Sequence, residues 1–340
     1  MTRRTSIDDP SQAGTRAIPF SSADLLLDLE GRVYHLQLLP EEVASDIILV
    51  GDPGRALFIA EHFLCDIELR REHRGLRSFT GKSRYDGHRV SVITSGMGTP
   101  SLEIVVQEIS ILKHIDLHSR TPKPSSEPVQ IIRVGTSGGL QASTPLGTAV
   151  LTRYAIGFDN TGLFYEAPAP DENCRRLELE LYEYVQSHMP RSSRFYGRIW
   201  PYVTMASPPL LSRIMHIASA CNYPLCEGIT VSNSGFFANQ GRDILPIHPS
   251  IPDLDLLLSR FEPRIENLRI ENMEMEASAL CHLGQGQGFF TACICPTVSN
   301  RRLETFADDY ETHIARAVEI SLKALSSHRK VLESRAQTTA

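Results

Sequence analysis

Apolar and polar positions divide the chain into short buried runs and longer amphipathic ones. DIILVG (46–51), HRVSVITSG (88–96), VQIIRVGTSGG (129–139), GTAVLTRYAIGF (147–158), CEGITVSNSGFF (226–237) and FFTACICPTVSN (289–300) are short and apolar, most of them running into turn residues. They read as strands. Apolar residues at helical spacing mark SLEIVVQEISILKHI (101–115), RRLELELYEYVQSH (175–188) and DDYETHIARAVEISLKAL (308–325), and EMEASALCHLGQGQ (274–287) reads as a helix opening at its acidic end. Strands alternating with helices predict an α/β fold around a largely buried sheet. Two Pro-rich stretches, 118–130 and about 246–263, read as insertions too short to build a core of their own. No internal repeat divides the chain, so one domain is expected over 21–327, flanked by disordered tails at 1–20 and 328–340.

The 41% hydrophobic content of the 340 residues suits an ordinary packed core. A formal net charge of -6 argues against nucleic acid as a partner, which calls for a basic surface. Positive charge for an anionic ligand must therefore be local. There is no apolar run of transmembrane length, and the polar N-terminus does not read as a secretory signal. The seven cysteines are odd in number and mostly lie in apolar runs. They read as reduced core thiols of a cytoplasmic protein, Cys293 and Cys295 included, since alternate strand residues point the same way.

The informative pattern is where glycines and arginines fall. Three strands end in the turns Gly51-Asp52-Pro53-Gly54-Arg55, Ser95-Gly96-Met97-Gly98-Thr99-Pro100-Ser101 and Arg133-Val134-Gly135-Thr136-Ser137-Gly138-Gly139. Ligands of α/β sheets collect beyond the carboxyl ends of strands. Glycine lets backbone N–H groups approach an anion, and arginine grips oxyanions with a planar fork. Two such turns each carrying an arginine suit phosphate. Thr80-Gly81-Lys82-Ser83 only resembles the end of a P-loop: Leu76 stands where the first glycine belongs, and the segment reads as turn and strand. Phe236-Phe237-Ala238-Asn239-Gln240-Gly241-Arg242 combines an aromatic ring, an amide and a guanidinium, a set able to bind a planar heterocycle. Glu276 can accept hydrogen bonds from sugar hydroxyls, with Met275 packing on the apolar ring face.

Together these stretches resemble the nucleoside phosphorylase family, which includes uridine phosphorylase and the hexameric purine nucleoside phosphorylases. The resemblance runs from about His35 to Leu325 in unchanged motif order. It rests on the three glycine turns, on Arg74-Gly75-Leu76-Arg77-Ser78-Phe79-Thr80-Gly81 and on Met273-Glu274-Met275-Glu276; the Phe236 to Arg242 stretch is similar to the uridine phosphorylase base pocket. The resemblance implies a single-domain, three-layer α/β/α sandwich around a mixed, partly barrel-like sheet. It implies phosphorolysis of uridine, with thymidine or deoxyuridine as further substrates, phosphate as co-substrate, and no metal or organic cofactor. Gly51, Arg55, Arg133 and Thr136 would bind phosphate, and Arg74 would complete that site from a neighbouring subunit. His35 would likewise reach a neighbour's 5′-hydroxyl, so the active unit is a homodimer or larger. Glu276 and Met275 would hold the ribose. Gln240 and Arg242 would hydrogen-bond the pyrimidine, Phe236 would pack on its ring, and Ser137 and Gly138 would line the same pocket. Arg133, Gln240 and Arg242 would carry the chemistry.

Three positions depart from the family's patterns. Gly75 replaces the glutamate of potassium-binding members. Asn239 replaces a glycine before the glutamine, at a turn that a left-handed asparagine would tolerate. Asn300 replaces the aspartate that protonates purines in the hexameric purine enzymes. A purine nucleoside phosphorylase, a nucleoside hydrolase and a non-catalytic nucleoside-binding protein remain the alternative readings. Arg133→Ala is expected to impair phosphate use with the fold intact.

Overall fold

The computed structural model describes residues 18–265, 267–307 and 309–339. All but the last three residues of the expected tail at 1–20 lie outside the described residues. In chain order the elements are β1 Asp46–Val50, α1 Pro53–Phe63, β2 Leu64–His73, β3 Leu76–Ser83, β4 Arg89–Thr94, α2 Thr99–His114, β5 Ile115–Asp116, β6 Thr121–Pro122, β7 Gln130–Val134, β8 Ser137–Gly139, β9 Ala149–Phe158, α3 Glu172–His188, β10 Tyr202–Met205, α4 Pro208–Ala220, β11 Leu225–Asn233, α5 Leu254–Arg260, β12 Ile270–Glu274, α6 Ala277–Gly286, β13 Phe290–Asn300, β14 Thr305–Phe306 and α7 Glu311–Thr339.

One mixed sheet runs in the order β10-β9-β11-β12-β8-β13-β7-β1-β4-β3-β2. An additional antiparallel pairing of β13 with β9 closes β9, β11, β12, β8 and β13 into a ring, the barrel-like part of the sheet. Strands β13, β7, β1 and β4 are mutually parallel neighbours, so their carboxyl ends share one edge. The layering follows from the two-residue period of a strand. Ile48 and Val50 of β1 pack with α1, α4 and α7, while Ile47 and Leu49 pack with α2 and α6 on the other face. Covered on both faces, β1 is buried at every position, which is why it reads as a continuous apolar run. A third core under α3 and α5 covers the outer side of β9, β11 and β12.

Several expectations need correction. The C-terminal tail expected from 328 is helix: α7 continues to Thr339. His328 Nδ1 bonds Gln130 Oε1 at 2.6 Å, and Arg329 Nε bonds Asp46 at 3.1 Å. The polar composition that suggested disorder is polar because it answers buried polar groups at the starts of β1 and β7. The stretch 246–263 contains α5, whose Leu254, Leu257 and Leu258 join the third core rather than forming one. Glu274 ends β12 instead of opening a helix, and Glu276 takes the N-cap position of α6. β3 follows a turn at Gly75, as expected where the P-loop likeness was set aside.

Candidate active site

Beyond the carboxyl ends of β1, β4 and β7 lies a cavity of about 490 Å³. Every expected site residue except His35 and Arg74 lines it. At the β1 end the chain turns straight into α1. Asp52 is the N-cap, its carboxylate accepting the Arg55 backbone N–H at 2.8 Å. A Cβ on Gly51 would come within 3.1 Å of the Gly96 carbonyl, so glycine lets the first and second turns approach each other. Arg55 crosses to the β7 end, where its Nη1 donates to the Val134 carbonyl at 3.2 Å. Burial depresses the Arg55 pKa, the neighbouring Arg133 cation depresses it further, and Asp52 opposes both. Two guanidinium groups held this near each other favour an anion between them.

Arg133 is buried at the cavity floor. Its Nη2 bonds Glu276, and its Nη1 lies 3.2 Å from Glu274 Oε2. Burial opposes the Arg133 charge, but Glu276 and then Glu274 outweigh it and hold its pKa well above the ordinary value. One cation cannot neutralise two carboxylates, and burial pushes the Glu274 pKa up despite Arg133. Glu274 also accepts from Ser232 and from the backbone N–H groups of Glu276 and Ala277 at 2.9–3.0 Å. It thereby fixes the entry to α6. Glu276 in turn accepts the Gly98 N–H, which ties the second glycine turn to the floor. A Cβ at Gly135 would fall 2.0 Å from Arg133 Nη1, so only glycine lets the guanidinium fold back over its own strand end. The Sγ atoms of Cys293 and Cys295 do point the same way, 3.6 Å apart, and both face Arg133 at 3.8 and 3.5 Å. With Glu274 they form the one cluster of metal-type donors found among the described residues. The Arg133 guanidinium already supplies positive charge to that cluster.

The opposite wall is built differently. After β11 the chain makes a short 3-10 turn, Ala238–Gln240, and then Gly241 with φ +72°. The left-handed residue is therefore Gly241, not Asn239. Arg242 Nη1 donates to Gln240 Oε1 at 2.8 Å, and its guanidinium lies 3.9 Å from the Phe236 ring centroid. Burial lowers the Arg242 pKa, and nearby Arg301 lowers it further. Arg301 holds this loop from behind. It donates to the carbonyls of Gln240 and Gly241 and pairs with Asp255 of α5 at 3.2 Å. Phe236 is half exposed, in contrast to the buried floor.

Sequence reasoning missed Met97, Glu274, Val298, Ser299 and Phe306 as lining residues, and Arg301 as the brace. A register argument could have found Ser299, which pairs with Gly138 across β13 and β8. Asn300, the neighbour of Ser299, is turned away from the cavity. Its Nδ2 donates to the Gln141 and Thr144 carbonyls at 2.9 Å each, and its Oδ1 accepts from the Arg302 and Leu303 N–H groups.

His35 and Arg74 lie together outside the cavity. The Glu108 carboxylate accepts from His35 N, His35 Nδ1 and Leu36 N at 2.7–2.8 Å. Arg74 sits at the β2–β3 turn with φ +53°, its guanidinium 5.2 Å from the Tyr34 ring centroid. His73 Nδ1 contacts the His35 carbonyl at 3.0 Å.

Residues 46–328 match the profile of the Phosphorylase superfamily. A curated "Purine nucleoside phosphorylase DeoD-type" of Streptococcus suis is 29% identical over 295 residues, covering 86% of this chain and 98% of its own. A "Uridine phosphorylase" of Thermococcus kodakarensis is 25% identical over 314 residues, covering 90% and 91%. The crystal structure of a Trypanosoma brucei nucleoside phosphorylase, described as showing uridine phosphorylase activity, superposes with a TM-score of 0.81 at 30% identity. It covers 89% of this chain and 100% of that one. No helix among the described residues is long and apolar enough to cross a membrane.

Proposed function

This chain belongs to the phosphorylase superfamily and is a pentosyltransferase, and from that premise we propose that it is a uridine phosphorylase. The observation that carries the proposal is the joining, in one cavity, of the Arg55–Arg133 anion end to the Gln240–Arg242 pair over Phe236. Gln240 Oε1 and Nε2 offer an acceptor and a donor side by side, the complement of an adjacent carbonyl and N–H on a pyrimidine-dione edge. Arg242 adds further donors toward a carbonyl. In the reaction a phosphate oxygen bonds C1′ of the ribose as the C1′–N1 bond breaks, and the electron pair leaves on the base. Negative charge grows on the base carbonyls as this happens, so Arg242 and Gln240 bind the transition state more strongly than the substrate. The uracil anion then takes a proton, and ribose 1-phosphate is the second product. Arg55, Arg133, Gly51 and Thr136 position the phosphate, and Glu276 and Met275 the sugar, with Ser137 and Gly138 lining the base end. No metal or organic cofactor enters these steps.

The T. brucei likeness supports the pyrimidine reading. The closure of Asn300 around backbone groups supports it too, because that residue presents no proton donor to a purine. His35 and Arg74, clustered on a surface outside their own cavity, suit a homo-oligomer in which each chain completes a neighbour's site. Seven free cysteines suit a reducing cytoplasm.

The test is base release by purified protein from uridine, thymidine, inosine and adenosine, each with and without phosphate. Phosphate-dependent uracil release is the expected result. Purine release alone overturns the base assignment, and release independent of phosphate marks a hydrolase.

A further inference from the structure

A second cavity, of about 380 Å³, lies between α4 and α7. The α4 wall is Pro209, Ser212, Arg213 and His216, one face of the first two turns of that helix. The α7 wall carries His328 and Arg335, seven residues apart and so again on one face. Four basic side chains and a hydroxyl thus converge, and no carboxylate lines the space, in a protein whose net charge is -6. Neither Arg213 nor His216 enters an ion pair among the described residues. His328 is buried, and Gln130 holds its Nδ1, which leaves Nε2 as the ring nitrogen available to the cavity. The N-terminal end of α4 adds the positive pole of its backbone dipoles.

We propose that this cavity binds a small diphosphate-bearing molecule, such as a nucleoside diphosphate. The charge selects an anion, and the arginines select phosphate oxygens over a halide. The spread of the donors selects more than one phosphate: seven residues of helix cover roughly 10 Å, so one tetrahedral anion cannot reach both ends of either wall. The volume suits a molecule of nucleotide size. The site is separate from the Arg55–Arg133 end of the nucleoside cavity, with which it shares no lining residue.

Calorimetric titration of the full-length protein with inorganic pyrophosphate tests the site. Three proteins are compared: wild type, Arg55→Ala and the double variant Arg213→Ser/His216→Ser. Pyrophosphate is expected to bind wild type and Arg55→Ala alike, and to bind the double variant roughly tenfold or more weakly, since charge-assisted hydrogen bonds are lost. Pyrophosphate should also raise the melting temperature of the first two proteins and not that of the third. The double variant exchanges only cavity-lining side chains, and its melting temperature without pyrophosphate checks that it folds. Unchanged binding by the double variant overturns the proposal. So does loss of binding in Arg55→Ala, which would send the anion to the nucleoside cavity, and so does an absence of binding by wild type up to millimolar concentrations.

Discussion

The two ends of the nucleoside cavity bind with similar functional groups but are built in opposite ways. At the phosphate end, Arg133 is buried in a strand end, gripped by two carboxylates and faced by two sulfurs. At the base end, Arg242 sits on a loop over a half-exposed phenylalanine and is braced from behind by Arg301. The first arrangement makes binding and folding inseparable, because the same ion group that meets phosphate also joins β7, β12 and α6. The second leaves base recognition on a segment that can change without disturbing the core, which is where a common scaffold can alter its specificity.

The largest expected effect follows from Arg133. Its replacement by alanine leaves Glu274 and Glu276 buried without their cation. Stability should fall by about 3–5 kcal/mol, and phosphorolysis by roughly 10³-fold. The sequence-based expectation of an intact fold is thereby revised, and thermal denaturation beside phosphate-dependence kinetics reads both quantities. Equal stability to wild type would dissolve the contrast between the two ends. Arg55→Ala separates the effects at the same end. Arg55 bonds one carbonyl and no carboxylate, so the variant should lose about 10²-fold in kcat/KM for phosphate with less than about 1 kcal/mol of stability.

At the base end, Arg242→Ala should lower kcat/KM for uridine by about 10²-fold and change stability by under about 0.5 kcal/mol. Undiminished uridine cleavage would remove Arg242 from the pyrimidine site. The smallest effect is expected from Arg301→Ala, roughly tenfold and mainly as a higher KM for uridine, since Arg301 acts by holding the Gln240–Gly241 backbone. Arg301→Lys should not restore it, because the two carbonyls and Asp255 need the planar fork. Full rescue by lysine would show that charge alone suffices there.

Much of the site was legible because its turns are local. Gly51 to Arg55 couples a strand end, an N-cap and a basic side chain within five residues, and Gln240 with Arg242 spans a single turn. Glu274 was misjudged as opening a helix because an acidic residue is equally at home in a first helical turn; its pairing with Ser232 through β11 is invisible in its own neighbourhood. Phe306 and Ser299 come to the cavity only through the β13–β14 hairpin and the register of β13 on β8. The helical extension at 328–339 escaped notice because its anchors, Gln130 and Asp46, lie about two hundred residues or more earlier.

The sequence by itself determined the alternation of strands and helices, the strand-end glycine turns and the residue types of both binding ends. Each of these depends on periodicity or on contacts within one turn, where chain connectivity already fixes the distance. Tertiary structure alone decided that Arg133 is shared by Glu274 and Glu276, that Arg301 braces the base loop, that Asn300 faces backbone rather than ligand, and that α4 and α7 enclose a basic cavity. Those arrangements join residues remote in sequence, and only the order and register of the closed sheet bring them within reach of one another.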